Sequence, residues 1–255
     1  MQTSLSGKWV LITGASSGFG AAAARAFAAQ GAHLLLGARR LDRLERIAAE
    51  VRQPGAARTL DVTRTASVEA FLQWARAKTS RVDVLINNAG GALGLDPVAG
   101  GTDEDWETML QTNVLGLLRV TRAVLPLMMN NPGSSILNIG SIAGHAAYEG
   151  GAVYCAAKAG ERKITQSLRL ELNGTGIRVG SIDPGLAETE FSVVRFKGDA
   201  ARAGKVYQGI HALTAEDIAE TLVWVAGRPA HVNIDEILIK PTDQAAITKV
   251  FRRGQ

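Results

Sequence analysis

Trp9-Val10-Leu11-Ile12-Thr13-Gly14-Ala15-Ser16-Ser17-Gly18-Phe19-Gly20 is the stretch on which the fold turns. Its first four residues form an apolar run of strand type. Three glycines follow in the spacing Gly-x-x-x-Gly-x-Gly. An alanine-rich helical pattern then covers 21–30, with Gly31 as its natural stop. The next strand occupies 32–36. Strand, glycine turn, helix and strand make a βαβ unit, which requires a parallel sheet. In such a turn glycine lets the backbone approach a pyrophosphate, and the helix N-terminus attracts its negative charge. A purely structural turn is the alternative. The flanking strand and helix favour dinucleotide binding by Gly14, Ala15, Ser16, Ser17, Gly18 and Phe19.

The end of the second strand selects the dinucleotide. An acidic residue there would hold the ribose 2′-hydroxyl of NAD. The chain instead carries Gly37-Ala38-Arg39-Arg40, with no carboxylate before Asp42. Two guanidiniums suit a 2′-phosphate, so the expected cofactor is NADP, with Arg39 and Arg40 as its ligands. The next strand, 57–60, ends at Asp61-Val62. Asp61 can accept from an adenine amino group or cap the helix over 65–78.

A second constellation lies further along. Ser141 follows the apolar run Ile136-Leu137-Asn138-Ile139, a strand end. Tyr154 and Lys158 are four apart, so on a helix they share one face. A phenol is a poor base near neutrality, because its reference pKa is about 10, and a neighbouring ammonium lowers it. A hydroxyl from Ser141 beside that phenol is equipped for general acid–base work on a substrate oxygen. Tyr–Lys pairs at this spacing are more often plain surface neighbours, so the rest of the chain must carry the case.

Between these regions the strand at 82–86 runs into Asn87-Asn88-Ala89-Gly90, where adjacent amides can tie strand ends together. A long helix is expected over 103–129, with Asn113 inside it against its propensity. A helix at 152–172, a strand at 177–182 ending in Asp183-Pro184-Gly185, a helix from Thr214 and a strand at 236–239 complete the pattern. Residues 186–212 show little regularity, and the tail 241–255 ends basic. The expected architecture is a single α/β domain over 1–255. It is a doubly wound parallel sheet of about seven strands with helices on both faces.

Composition narrows the classes. At 255 residues, 46% hydrophobic and 20% charged, the chain can bury a sizeable core without staples. The lone Cys155 excludes an internal disulfide and a multi-cysteine zinc site. His33, His211 and His231 are scattered, and no metal is expected. The net charge of +4 comes without a basic run or aromatic stripe, which argues against nucleic acid. No signal sequence or membrane span is legible, so cytoplasm is the expected location.

Together these motifs resemble the short-chain dehydrogenase/reductase family over essentially the whole chain. The resemblance rests on Thr13–Gly20, on Asn87-Asn88-Ala89-Gly90, on the set Asn113, Ser141, Tyr154 and Lys158, and on Pro184-Gly185. Asp105-Trp106-Glu107-Thr108-Met109 and the segment from Glu190 to Asp199 are similar to its NADP-dependent 3-hydroxy acid dehydrogenase branch, with departures at Gly91 and His145-Ala146-Ala147. The resemblance implies that Tyr154 is the general acid/base and that Lys158 also bonds the nicotinamide ribose. Ser141 would position the substrate, and Asn113 would hold a relay water. Asn88, Ala89, Gly90, Pro184, Gly185 and Thr189 would line the cofactor, with 184–192 closing over the nicotinamide. It also implies a homotetramer built on the helices at 103–129 and 152–172. Arg195 and Lys197, within the expected lid at 186–212, are candidates for a substrate carboxylate, and His145, near Ser141, for a substrate contact. A small 3-hydroxy acid is the expected substrate. Neutral carbonyl compounds, or NADP binding without turnover, are the alternatives.

Overall fold

Seven strands lie side by side in the computed structural model, which describes residues 3–254. They are β1 (Trp9–Thr13), β2 (His33–Ala38), β3 (Ala57–Thr59), β4 (Val84–Asn87), β5 (Ser135–Ile139), β6 (Arg178–Pro184) and β7 (Glu236–Ile239). Every pairing is parallel, in the order β3-β2-β1-β4-β5-β6-β7. The winding direction reverses between β1 and β4. Ligands of such sheets gather there, at the carboxyl ends of the strands.

The helices are α1 (Gly18–Ala29), α2 (Leu41–Glu50), α3 (Thr65–Arg76), α4 (Asp103–Leu110), α5 (Gly116–Val124), α6 (Ala152–Glu171), α7 (Phe191–Arg195), α8 (Ala200–Tyr207) and α9 (Ala215–Ala226). Alternation along β1 shows why both faces are covered. Val10 and Ile12 enter one core with the α1 alanines and with Ile218 and Leu222 of α9. Leu11 enters the other with Phe71 and Leu72 of α3 and Val120 and Val124 of α5. This is the doubly wound sheet the pattern calls for.

The structure departs from the sequence reading in two places that bear on the site. The continuous helix expected over 103–129 is interrupted by a π-helical turn at Gln111–Leu115, between α4 and α5. Asn113 sits in that turn. Its Nδ2 donates to Met109 O at 2.7 Å and to Gly91 O at 2.9 Å, and its Oδ1 accepts from Gly91 N at 3.1 Å. One side-chain amide thus takes over a helix carbonyl and pins the turn to the loop after β4, a use to which widened turns are often put. The second departure is α7 and α8, which occupy the stretch at 186–212 that shows no periodicity.

The tail folds back on that stretch. Gln244 Oε1 accepts from Leu186 N at 2.8 Å, and Asp243 receives His211 N at 2.7 Å and Arg253 through bonds of 2.7 and 2.9 Å. Among the described residues no helix is long and apolar enough to cross a membrane.

Candidate active site

Four strand ends open on one cleft of about 650 Å³, reached by Gly14 after β1, Asn88 after β4, Ser141 after β5 and Pro184 of β6. Gly14 has φ of +65°, and a Cβ there would stand 2.9 Å from Ala89 Cα, so this position needs glycine. Asn88 Nδ2 donates to Thr13 O at 2.9 Å and to Gly14 O at 3.2 Å. Thr13 Oγ1 accepts from Asn88 N and Ala89 N, each at 3.0 Å. Asn87 Nδ2 reaches Asn138 Oδ1 on β5 at 2.9 Å. The paired amides therefore do tie β1, β4 and β5 together. Ala15 is buried beneath the turn, its N–H on Gly37 O at 3.2 Å. Among the described residues no side chain caps α1. Its first N–H groups are left for an anion.

Ser16, Ser17, Gly18, Phe19, Arg39, Arg40, Asp61 and Val62 line the end of the cleft beside this turn. Arg40 donates to Ser17 Oγ at 2.7 Å, to Ser16 Oγ at 3.2 and 3.3 Å, and to Glu190 at 3.1 Å. Arg43 reaches the same Glu190 at 2.8 Å. Arg39 makes no hydrogen bond among the described residues. Burial raises the Asp61 carboxyl, but hydrogen bonds from Thr63 and the charges of Arg39 and Arg64 outweigh it and hold it below its ordinary range. Asp61 is thus a fixed acceptor turned to Thr63 Oγ1 at 2.7 Å. Two guanidiniums, one of them unpaired, and no carboxylate at the end of β2 fit a phosphorylated ribose better than a bare one.

At the other end stand Ser141, Tyr154 and Lys158. Ser141 opens a short 3-10 turn and accepts from Ala143 N at 3.1 Å. Tyr154 is only 8% exposed, its ring 5.7 Å from that of Phe191, and its hydroxyl has no hydrogen-bond partner among the described residues. Lys158 Nζ donates to Ile139 O and to Glu161 Oε2, both at 2.7 Å. An ammonium has three donors, so one remains for the cleft. Burial opposes the charge of Lys158, but Glu161 and Tyr154 outweigh it and keep the ammonium above its ordinary range. Burial pushes Glu161 up to about 7 despite the adjacent Lys158. Asn113 does not line the cleft; it stands behind Gly90, where a Cβ would meet its Oδ1 at 2.6 Å and Lys158 Nζ at 3.7 Å.

Pro184, Gly185 and Thr189 form the facing wall, with Gln244 and Ile247 of the tail. The three candidates for substrate contact part company. Arg195 lines the cleft: its Nε donates to Gly94 O and its Nη2 to Tyr148 OH, both at 2.8 Å, and its guanidinium stands 5.8 Å from the centre of the Tyr154 ring. Burial pushes the Tyr148 phenol up to about 12, although Arg195 opposes it. Lys197 lies outside the cleft, 63% exposed and paired with Asp105 at 2.9 Å. That carboxylate holds its charge away from any substrate. His145 also turns away, its Nε2 2.6 Å from Asp183 and 3.6 Å from Glu236, because the 3-10 turn carries it to the far side of Ser141. Ligand-type atoms of His145, Asp183 and Glu236 lie within 4.8 Å of one another, and Arg162 occupies Glu236 at 2.8 Å. Burial holds the Asp183 carboxyl above its usual range against the bond from His145.

Sequence reading missed Tyr148, Glu161, Glu190, Gln244 and Ile247. Only Glu161 carried a signal, since a carboxylate three residues after Lys158 shares its helix face.

A sequence model of the short chain dehydrogenase family matches residues 8–199. The chain belongs to the short-chain dehydrogenase family. Among its relatives in that family is the NADP-dependent 3-hydroxy acid dehydrogenase of Salmonella typhi, 47% identical over 237 residues, which are 92% of this chain and 96% of that one. Sulfoacetaldehyde reductase 2 of Chromohalobacter salexigens is 46% identical over 239 residues, 92% of this chain and 95% of that one. The solved closed form of serine dehydrogenase complexed with NADP+ superposes with a TM-score of 0.89 at 45% identity, covering 93% of this chain and 96% of that one. As a short-chain dehydrogenase the chain is of an oxidoreductase family, and its fold is that of its relatives.

Proposed function

We propose that this protein is an NADP-dependent oxidoreductase of small 3-hydroxy acids, of the serine, allo-threonine or 3-hydroxypropanoate type, and of the matching semialdehydes in reverse. The observation that carries the reading is a free tyrosine hydroxyl beside Lys158 and Ser141, at the end of a cleft that begins with an uncapped helix and two arginines. Gly14, Ser16, Ser17, Gly18 and Phe19 would hold the pyrophosphate side, Arg39 and Arg40 the 2′-phosphate, and Asp61 and Val62 the adenine. Asn88, Ala89, Gly90, Pro184, Gly185, Thr189, Tyr154 and Lys158 would hold the nicotinamide side. When bound, the nicotinamide supplies or accepts the hydride.

The chain's own residues handle the proton. In oxidation Tyr154 takes the proton of the substrate hydroxyl; in reduction it returns one to the carbonyl oxygen. Ser141 donates to the same oxygen and stabilises charge that develops on it. Lys158 keeps a cation beside the phenol and has one N–H left for the cleft. Asn113, pinned in its π turn, would hold a relay water from behind Gly90.

Arg195 supports an acidic substrate. Its guanidinium is oriented by Gly94 and Tyr148, close to Tyr154, and a carboxylate is its natural partner. A sulfonate, the group carried by the substrate of the Chromohalobacter relative, fits the same donor. Arg195→Ala is expected to lower kcat/KM for carboxylate substrates by about 10- to 100-fold, the loss of one charge-assisted hydrogen bond. Neutral alcohols and ketones should change little. A panel of hydroxy acids, sulfonates and neutral analogues, run with NADP and NAD, reads this out; equal losses across the panel would remove the acid-binding role. Lys197 and His145 have no part in this reading.

A cytoplasmic homotetramer belongs to the same proposal. Leu110, Leu115 and Leu118 along α4–α5 and Leu170 on α6 are exposed, a use for which a helix interface is the ordinary explanation. Light scattering is expected to give four times the chain mass; a monomer would end this part of the proposal.

A further inference from the structure

We propose that Glu161 is a positioning residue that sets how much positive charge Lys158 presents to Tyr154, and that its second oxygen holds one buried water against Asn87. The proposal rests on the oxidoreductase reading above.

Glu161 lies on α6, 3% exposed, and its Oε2 accepts from Lys158 Nζ at 2.7 Å. With Ile139 O it takes two of the three ammonium donors, so it fixes the direction of the third. Its Oε1 is buried and has no hydrogen-bond partner among the described residues, and the same is true of Asn87 Oδ1 on β4. Both residues line one small chamber of about 10 Å³, with Thr13, Asn113 and Gly116 on its other sides. That is room for about one water. Two acceptors without donors on one such chamber are what a water satisfies, by donating a hydrogen to each.

With Glu161 ionised, Lys158 and Glu161 are a neutral pair; with Glu161 protonated, the ammonium acts alone on the phenol. Burial pushes the Glu161 carboxyl up to about 7, so both forms are populated near neutrality. The other charged groups around it are Asp183 at the end of β6, which disfavours its ionisation, and, through Asp183, His145 of the 3-10 turn, Glu236 of β7 and Arg162 of α6. From β1, β4 and the π turn it faces only the uncharged Thr13, Asn87 and Asn113. Tyr154 lies seven residues back on α6, about 10 Å along a helix at 1.5 Å per residue. At that distance, and an effective dielectric of about 20, one unit charge changes the rate on the order of tenfold.

The experiment compares wild type with Glu161→Gln, which keeps the shape and removes the titration. kcat/KM is measured from pH 5.5 to 9.5 with a hydroxy acid. Wild type is expected to show an inflection near pH 7 worth about tenfold, and the glutamine variant to lack it. Thermal midpoints give a readout that does not depend on turnover. A carboxyl raised in the folded state binds more protons there than in the unfolded chain as pH climbs from about 4.5 to 7. Wild type should therefore lose stability relative to the variant across that window. Should the variant fail to fold, wild type labelled with [δ-13C]glutamate answers alone: one glutamate should titrate near neutrality, and the label leaves Asp183 silent. Superimposable rate profiles in active enzymes, or labelled glutamates that all titrate below about pH 6, overturn the proposal. A neutral-range glutamate in a protein that turns over none of the panel would strike the functional reading and leave the titration of Glu161 standing.

Discussion

Replacing Tyr154 with Phe is expected to lower kcat/KM by about 10³-fold or more while NADPH still binds with nearly its wild-type affinity. The substitution removes one oxygen and keeps the ring, which packs against Phe191 in a small core with Met109 and Ala143. The hydroxyl forms no hydrogen bond to the described residues, so its loss orphans no buried partner. Stability should hold for that reason, and thermal midpoints within a degree or two would show it. The other groups at that end of the cleft are poorly suited to exchange a proton in its place. Tyr148 lines the cleft too, but Arg195 binds its hydroxyl and burial pushes its phenol up to about 12. Ser141 is a weak acid, and Lys158 has two of its donors committed behind it. Turnover falling less than tenfold, measured with saturating NADP, would mean the proton travels elsewhere. Binding is followed independently through nicotinamide fluorescence.

The second large effect concerns the choice of carrier. The Arg39→Ala, Arg40→Ala double variant is expected to weaken NADP binding by about 10²- to 10³-fold, two charge-assisted interactions at about 1.5–3 kcal/mol each with some solvent screening. NAD, which has no 2′-phosphate, should weaken only slightly. The single variants separate the two roles. Arg39 has no partner among the described residues, so its loss should register only with the phosphorylated carrier. Arg40 also holds Ser17 and Glu190, so its loss loosens the turn and should touch both carriers slightly. Isothermal calorimetry on all three variants reads the ratio directly. NADP and NAD weakening in step would take the arginines out of the phosphate site.

The sheet was legible because its signals are local. An apolar run, a glycine turn and an alanine helix follow one another without interruption, and the same logic repeats at each strand end. Tyr154 and Lys158 were legible because helical spacing puts them on one face. What sequence concealed depends on partners distant along the chain. The π turn at Asn113 leaves no mark in hydrophobic period, because its cause is a pair of bonds to Gly91 on another segment. The helices α7 and α8 have five and eight residues, too few to show a period. Lys197 and Arg195 read alike in sequence. Asp105 claims one, and Gly94 and Tyr148 orient the other into the cleft. His145 is adjacent to the Ser141 turn in sequence, yet its partner lies on β6.

Under the proposed reading, Glu190 would couple loading to capture. Its carboxylate grips Arg40 and Arg43 at one end of α7, and Arg195 closes the other end of the same five-residue helix. An arriving 2′-phosphate would compete with Glu190 for Arg40. An exposed pair of this kind is worth about 0–1 kcal/mol, so the latch slows nothing greatly. The wall that carries Arg195 would still be tugged or released according to which carrier docks. An unphosphorylated carrier would leave the Arg40–Glu190 pair in place.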